Sequence, residues 1–373
     1  MVRPRFHLCR SVKIPMAFKF VLPKLSMGCK QALCMTALWL SFIVTPVFAA
    51  TPVLRVLAWP GYAESEVVQS FERLYGVHVE VTIVTSDAVL WQKISTRNMD
   101  YDVFAVNVAE LQRYIATNLV LPLNLEQIPN TRHQLPRFRN LAVIPGLVSG
   151  GKTLGMPFTY SEMGLIYDRK QIPTPPNTIA ALWDPRYRGK VIAYDGGTHN
   201  FSLSGQSLKQ KSPFHIAAAD WQRAAEHLIA LRRNVLGFYT QPDESVQLFL
   251  RHKAALMFAN YGMQQVHLLK AAGADIGYAI PKEGVLAWLD CWVITRAARD
   301  PALAHAWIDH LLGEQASHLL TERQGLASTT VEAAASGSAE SLLWLQPPED
   351  TNRREKLWGR IRSGDQLSRV MAP

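Results

Sequence analysis

Disulfide chemistry is missing from most of this chain. Three of its four cysteines, Cys9, Cys29 and Cys34, fall in the first tenth of the sequence, and Cys291 stands alone in the rest. One thiol closes no internal disulfide, so the domain must be held by its own apolar core. Catalytic motifs are equally scarce. Asp195-Gly196-Gly197-Thr198-His199 gathers an acid, a hydroxyl and an imidazole, but without the spacing of a nucleophile elbow. His305 and His310 are five apart on a predicted helix, off the i, i+4 spacing of zinc ligands. Gly150-Gly151-Lys152-Thr153 is the tail of a phosphate loop that lacks the earlier glycine. The expectation is a protein that is not an enzyme and uses no metal and no cofactor.

Acid is absent from residues 1–49, which carry Arg3, Arg5, Arg10, Lys13, Lys19, Lys24 and Lys30 and no Asp or Glu. That segment runs into the apolar Ala32–Val44 and ends at Pro46-Val47-Phe48-Ala49, the pattern of a secretory signal peptide cleaved after Ala49. Retention as an anchor is the alternative, although the apolar run falls short of the ~20 residues of a comfortable span. Met16 or Met27 could be the true start. Removing those seven cations from the 39 leaves 32 basic against 30 acidic residues, which withdraws the nucleic-acid reading that a formal charge of +9 first suggests.

What is present is concentrated in Pro281–Ile294, PKEGVLAWLDCWVI, where a single carboxylate, Asp290, sits in a strongly apolar run. A carboxylate taken out of water needs a cation or several donors, or it takes up a proton. Trp288 and Trp292 flank it at i−2 and i+2, on its own face of an extended strand. Two indoles around one acid suit an amine; a core strand whose Asp caps a helix or pairs with an internal Arg is the alternative at this point.

Leu54–Trp59 reads as a strand, Glu64–Tyr75 as an amphipathic helix stopped by Gly76, and Val77–Val84 as a second strand. A helix over Ser86–Thr96 and a doubly buried strand over Tyr101–Asn107 complete a β-α-β-α-β series, which predicts a parallel, doubly wound sheet with ligands beyond its strand ends. Gly150–Asp168 reads as a crossing to a second α/β lobe. That lobe holds a strand at Lys190–Tyr194, a turn at Asp195-Gly196-Gly197, a helix over Ala217–Arg232, a strand at Ala254–Ala259 and a helix over Gln264–Ala272. Ala302–Leu312 and Leu319–Gly325 read as helical, Ser328–Ala339 as a loop and the Trp358 region as a helix. Trp59 and Tyr62 at one strand end, Phe258 and Tyr261 at another, and Trp288 at the crossing could line one interlobe cleft, with core packing as the alternative for each.

Trp59-x-x-Tyr62, Tyr101-Asp102-Val103, Leu182-Trp183-x-Pro185-x-Tyr187-x-Gly189 and Pro281-Lys282-Glu283-Gly284-x-x-x-Trp288-x-Asp290 together resemble the periplasmic spermidine/putrescine-binding proteins of ABC transporters, within the wider extracellular solute-binding group. The resemblance covers most of Leu54–Leu312. It implies a two-lobed α/β clamshell in which each lobe is a mostly parallel sheet flanked by helices, joined by crossing strands. The implied boundaries are a signal peptide at 1–49, a first lobe at 50–157 plus 289–327, and a second at 158–288 plus 328–373. Carried over residue by residue, the family's aromatic box and amine-binding acid fall on Trp59, Tyr62, Trp288 and Asp290, with Phe258 where the family often has Trp and Asn107 where it has a small polar group. Gly61 replaces a common Glu. The second-lobe loop reads Gly196 and His199 where the family offers acids, with Asp195 one place early. Such a site suits a smaller or singly charged amine, or a solute other than a polyamine. The implied partners are a small amine and either a membrane permease or, alternatively, a membrane-bound sensor; the protein is expected to be an exported, periplasmic monomer.

Overall fold

The computed structural model of the protein describes residues 51–96, 99–332 and 342–373. The predicted signal peptide and its cleavage point lie outside the described residues, as does most of the predicted Ser328–Ala339 loop. Among the described residues no helix is long and apolar enough to cross a membrane.

The N-terminal series folds as its periodicity predicts. β1 (Val53–Ala58), α1 (Ser65–Tyr75), β2 (His78–Ile83), α2 (Asp87–Ser95) and β3 (Val103–Asn107) follow in order, and both β2 and β3 pair parallel with β1. α1 buries Val67 and Phe71 and ends at Gly76, whose φ of 64° is the left-handed conformation that glycine accepts without strain. Ser86 caps α2 by accepting the N–H of Val89 at 3.2 Å, and all five residues of β3 are buried. α3 (Val108–Ala116) follows directly from β3.

Next come β4 (Met156–Glu162), β5 (Leu165–Asp168), β6 (Val191–Tyr194), α4 (Gly197–Ser207), α5 (Trp221–Asn234), β7 (Val235–Tyr239), α6 (Pro242–Arg251) and β8 (Leu256–Phe258). α7 (Met263–Ala271), β9 (Ile276–Ala279), β10 (Val285–Ile294), α8 (Pro301–Leu311), α9 (Glu314–Gln324), β11 (Ala327–Ser328), β12 (Leu342–Trp344) and α10 (Thr351–Arg362) complete the architecture. The first sheet runs β11-β4-β10-β3-β1-β2, with β12 also on β10; the second runs β9-β5-β8-β6-β7.

The two sheets share one plan. β1 is flanked in parallel by β2 and β3, and β6 by β7 and β8. An antiparallel strand then joins each set, β10 against β3 and β5 against β8. Both sheets are therefore mixed: helical crossovers give parallel neighbours, and strands arriving from the other lobe run antiparallel. The chain changes sheet between Glu162 and Leu165, between Ala279 and Val285, and again after Trp344, where α10 packs on α4 and α5 of the second lobe.

α4 has no counterpart in the sequence reading, which places only a turn at its start. Its sequence, GTHNFSLSGQS, is poor in helix formers, yet every residue from Gly197 to Gln206 is buried. α10 holds it from outside. The carboxylate of Glu355 accepts the N–H of Thr198 at 3.2 Å, and the fully buried Arg354 donates to the Thr198 carbonyl at 3.1 Å and to Ser202 Oγ at 2.9 Å. The same guanidinium reaches the Phe214 carbonyl at 2.8 Å and Glu349 at 2.7 Å. Removing it strands a carboxylate and several carbonyls together, so Arg354→Ala is expected to cost about 3 kcal/mol or more in urea unfolding. A loss below about 1 kcal/mol would show that this contact is not what holds the second lobe's helix.

Candidate functional site

Asp290 lies where two strands of the first sheet end together. In β10 it faces Asn107, the last residue of β3, and on its other side Thr159 of β4. Between Asp290 and Cys291 the register with β4 shifts, leaving Phe158 as the extra residue. The carboxylate is buried, and two neutral donors reach it. Tyr62 donates its hydroxyl to Oδ2 at 2.7 Å, and Asn107 donates Nδ2 to Oδ1 at 3.1 Å. Asn107 also caps α3, its Oδ1 accepting the N–H of Ala109 at 2.9 Å, so its amide is locked with the donor end toward the acid.

These residues share a partly open cavity of about 40 Å³ between the lobes. The first lobe contributes Trp59, Tyr62, Asp87, Asn107, Trp288 and Asp290; the second contributes Tyr194, His199, Asn260, Tyr261 and Gln264. Trp59 and Tyr62 are brought to it by the turn after β1, closed by the Tyr62 N–H on the Trp59 carbonyl at 3.2 Å. Gly61 makes that turn at φ +83°, and a Cβ there would stand 2.5 Å from the Gln324 side chain. On the second lobe Gly262, at φ +53°, lies so close to β4 that a Cβ would stand 2.0 Å from Ser161 Oγ, which draws Asn260 and Tyr261 against the crossing strand. Trp288 spans the lobes by donating its indole N–H to the Asn260 carbonyl at 2.7 Å. Gln241 Nε2 meets the Thr85 carbonyl at 3.0 Å and Gln264 meets Gln324 at 3.1 Å, so the lobes are latched over the cavity.

Among the thirteen lining residues there is no lysine or arginine. Burial pushes the Asp290 carboxyl from its ordinary 3.8 up to about 7, against the opposing pull of the Tyr62 hydrogen bond, and the Asp87 charge adds to the rise. The Tyr62 phenol is pushed well above its usual value by burial and then by Asp290, which keeps it a donor. Burial lowers His199, leaving a neutral imidazole edge-on to Tyr194, with ring centres 5.2 Å apart. The side-chain oxygen of Asn260 and the indole N–H of Trp59 are buried without hydrogen-bond partners among the described residues. A cavity with unpartnered polar atoms and this volume has room for a small ligand or a few waters.

Of the residues singled out in sequence, Trp59, Tyr62, Asn107, Tyr261, Trp288, Asp290 and His199 meet in this cavity. Phe258 does not line it: it is fully buried in the second sheet, two residues before the turn that delivers Asn260 and Tyr261, and its carbonyl accepts the Tyr239 hydroxyl at 2.7 Å. Asp195 is also elsewhere, accepting Trp358 Nε1 at 2.8 Å and pairing with Arg362 of α10. Trp292 packs in the core against Trp307. Asp87, Tyr194, Asn260 and Gln264 are cavity residues that the sequence reading did not single out. Asp87 sits just past β2, the C-terminal edge where parallel sheets bind ligands, but a Ser-Asp pair there reads as helix capping.

Residues 66–343 match the family described as bacterial extracellular solute-binding protein. The chain is 23% identical over 292 residues to the spermidine/putrescine-binding periplasmic protein 1 of Haemophilus influenzae, covering 76% of this chain and 77% of that protein. It is 21% identical over 372 residues to the putrescine-binding periplasmic protein PotF of Escherichia coli, covering 88% of this chain and all of that one. Among solved structures, the Tp0655 (TpPotD) lipoprotein of Treponema pallidum matches with a TM-score of 0.71 at 17% identity, over 83% of this chain and 99% of that one. PBP MotA of A. tumefaciens in complex with glucopine matches at a TM-score of 0.68 and 11% identity, over 84% of this chain and 100% of that one.

The buried carboxyl has a pH signature in the ligand-free protein. Between pH 3.8 and about 7 the folded chain keeps a proton that the unfolded chain releases, so this group's stabilising share is full at low pH and lost as pH rises through that window. Asp290→Asn removes the titration. Relative to wild type, the variant is expected to gain about 2–4 kcal/mol between pH 4 and pH 8 in urea unfolding; parallel pH profiles would refute the assignment.

Proposed function

The chain belongs to the bacterial extracellular solute-binding proteins, and from that premise we propose that it captures a small cationic amine of the polyamine class between its lobes and delivers it to the permease of an ABC transporter. One observation carries this reading. The cavity presents the buried carboxylate of Asp290 among the rings of Trp59, Tyr62, Trp288, Tyr194 and Tyr261, with no lysine or arginine among the lining residues to neutralise it. An ammonium supplies the missing charge, and the relatives whose names record spermidine or putrescine binding support the same class.

The energetics are adequate. A charge-assisted hydrogen bond contributes about 1.5–3 kcal/mol and each cation–π face about 0.5–2 kcal/mol, so one acid and two or three rings span the millimolar range and reach micromolar only with three rings at the upper end, at roughly 9 kcal/mol. Tyr62 and Asn107 orient the acid; Trp288 joins ligand capture to closure because its indole already bridges to Asn260. Delivery is from the periplasm, with the exported form beginning at Ala50; an intact mass retaining residues 1–49 in the secreted protein would refute that start.

Calorimetry with 1,4-diaminobutane tests the reading. Asp290→Asn is expected to weaken binding at least about a hundredfold while the protein stays folded, since a cation would then enter a cavity without its counter-charge. Because the ammonium pairs with ionised Asp290, wild-type affinity is expected to fall toward tenfold per pH unit below about pH 7, with proton release on binding. Undiminished affinity in the Asn variant would overturn the proposal.

A further inference from the structure

Charge is divided unequally between the two lobes. Residues 165–284 and 345–373, which build the second lobe, hold 20 lysines and arginines against 13 acids, whereas residues 50–164 and 285–344 hold 12 against 17. A chain that is almost neutral beyond its first 49 residues is therefore strongly dipolar.

The excess of cations collects at one edge. The parallel strands β6, β7 and β8 enter the second sheet at Val191, Val235 and Leu256 and run toward the cavity, where Tyr194, Asn260 and Tyr261 stand. Their entering ends form the far pole of the lobe. Arg186, Arg188 and Lys190 precede β6, and Arg169 with Lys170 follows β5, which runs antiparallel to β8 and leaves the sheet at the same edge. Arg232 and Arg233 lie in the last turn of α5, Arg251 ends α6 with Lys253 just beyond it, and Lys270 lies in the last turn of α7. Against these ten cations the same turns offer Asp168, Asp184 and Asp275. Two of the three are taken locally, Asp275 by Arg169 at 3.5 Å and Asp184 by Arg186 at 2.6 Å.

Helix ends explain only part of this. Basic residues in a last turn complement the helix dipole, which accounts for Arg232, Arg233, Arg251 and Lys270. Lys170, Arg188 and Lys253 lie outside helices and are exposed, and among the described residues their side chains make no hydrogen bond or ion pair. Apolar exposure coincides with the charge. Of the seven large hydrophobic side chains that are exposed among the described residues, five belong to the first lobe; the second lobe's two, Leu236 and Leu250, are both at this pole. Leu236 is the extra residue where β7 shifts register against β6, and Leu250 borders an open hollow that Lys170, Lys190, His252 and Lys253 also line.

We propose that this pole is a docking surface for an anionic phospholipid bilayer, its cations meeting headgroup phosphates while Leu236 and Leu250 press into the interfacial layer between them. The cations are spread over five turns, which suits a surface of mobile phosphates, and each adds attraction within a Debye length of the membrane. Docked in this way the second lobe holds the cavity on its side away from the lipid and the acidic first lobe outward, so the protein gathers at the membrane with its cavity free to fill. This inference stands apart from the amine reading and does not need it.

Cosedimentation tests it, with the exported protein recovered from the periplasm and vesicles of phosphatidylcholine, alone or mixed with phosphatidylglycerol. Wild type is expected to bind the anionic vesicles at least about tenfold more strongly than the neutral ones at about 50 mM salt and to lose the preference at about 500 mM. The triple variant Lys170→Glu, Arg188→Glu, Lys253→Glu is expected to bind at least about tenfold more weakly, and Leu236→Ser, Leu250→Ser about threefold more weakly. Arg223→Glu, Arg353→Glu, Lys356→Glu makes the same change of charge in the first halves of α5 and α10, nearer the cavity, and is expected to stay within about threefold of wild type. Melting temperatures establish that each variant is folded, and any contribution of residues 1–49 is common to all. Equal binding to neutral vesicles, insensitivity to salt, or binding that survives in the Lys170, Arg188 and Lys253 variant overturns the inference. So does an equal loss in both triple variants, which would mark net charge rather than this pole. If wild type binds neither vesicle, membrane docking falls and an acidic protein face becomes the partner to seek.

Discussion

A carboxylate without a counter-charge, buried where the two lobes meet, is the constraint around which this molecule is arranged. Water is denied to Asp290, and two neutral donors compensate it only in part, as its raised pKa records. Neutral donors in place of a cation are costly for an empty cavity but suitable for a binding protein, because the unmet charge is then left for the ligand. The aromatic walls serve the same end: they exclude water and offer negative ring faces without adding a permanent charge.

The placement of that acid depends on an irregularity in the sheet. The extra residue in β4, Phe158, sits between Tyr62, at a ring distance of 5.5 Å, and Trp292, at 5.7 Å. Trp292 continues to Trp307 of α8, and Trp307 to Phe71 of α1. The cavity wall is therefore the exposed end of an aromatic column that runs through the first lobe's core, and Tyr62 cannot shift from Asp290 without disturbing packing several residues deep.

Local signals made part of this legible in sequence. The acid at Asp290, its neighbour Trp288 and the turn from Trp59 to Tyr62 were visible because polarity broke an apolar pattern at strand ends. The β-α-β-α-β series was visible because its periodicities change cleanly and Ser86 and Gly76 mark helix ends. Phe258 and Asp195 were misplaced by the same logic: each is close to the cavity along the chain, but the pleat turns Phe258 inward, and Trp358 and Arg362, remote in sequence, draw Asp195 away. Asp87 was hidden because its local meaning, a helix start, is also correct. α4 was hidden because its order comes from burial and from α10, which no local propensity encodes.

That dependence of α4 on α10, about 150 residues later in the chain, sets an order of events. His199 reaches the cavity from a helix whose Thr198 amide donates to Glu355 and whose first turn is bound by Arg354. The second lobe therefore cannot finish its ligand-facing wall while the chain is still being made, and β10, which brings Asp290, also arrives late in the sequence. Completion of the binding surface therefore waits for contacts between segments about 150 residues apart in the chain, and the second lobe's wall closes as a late, long-range step of folding.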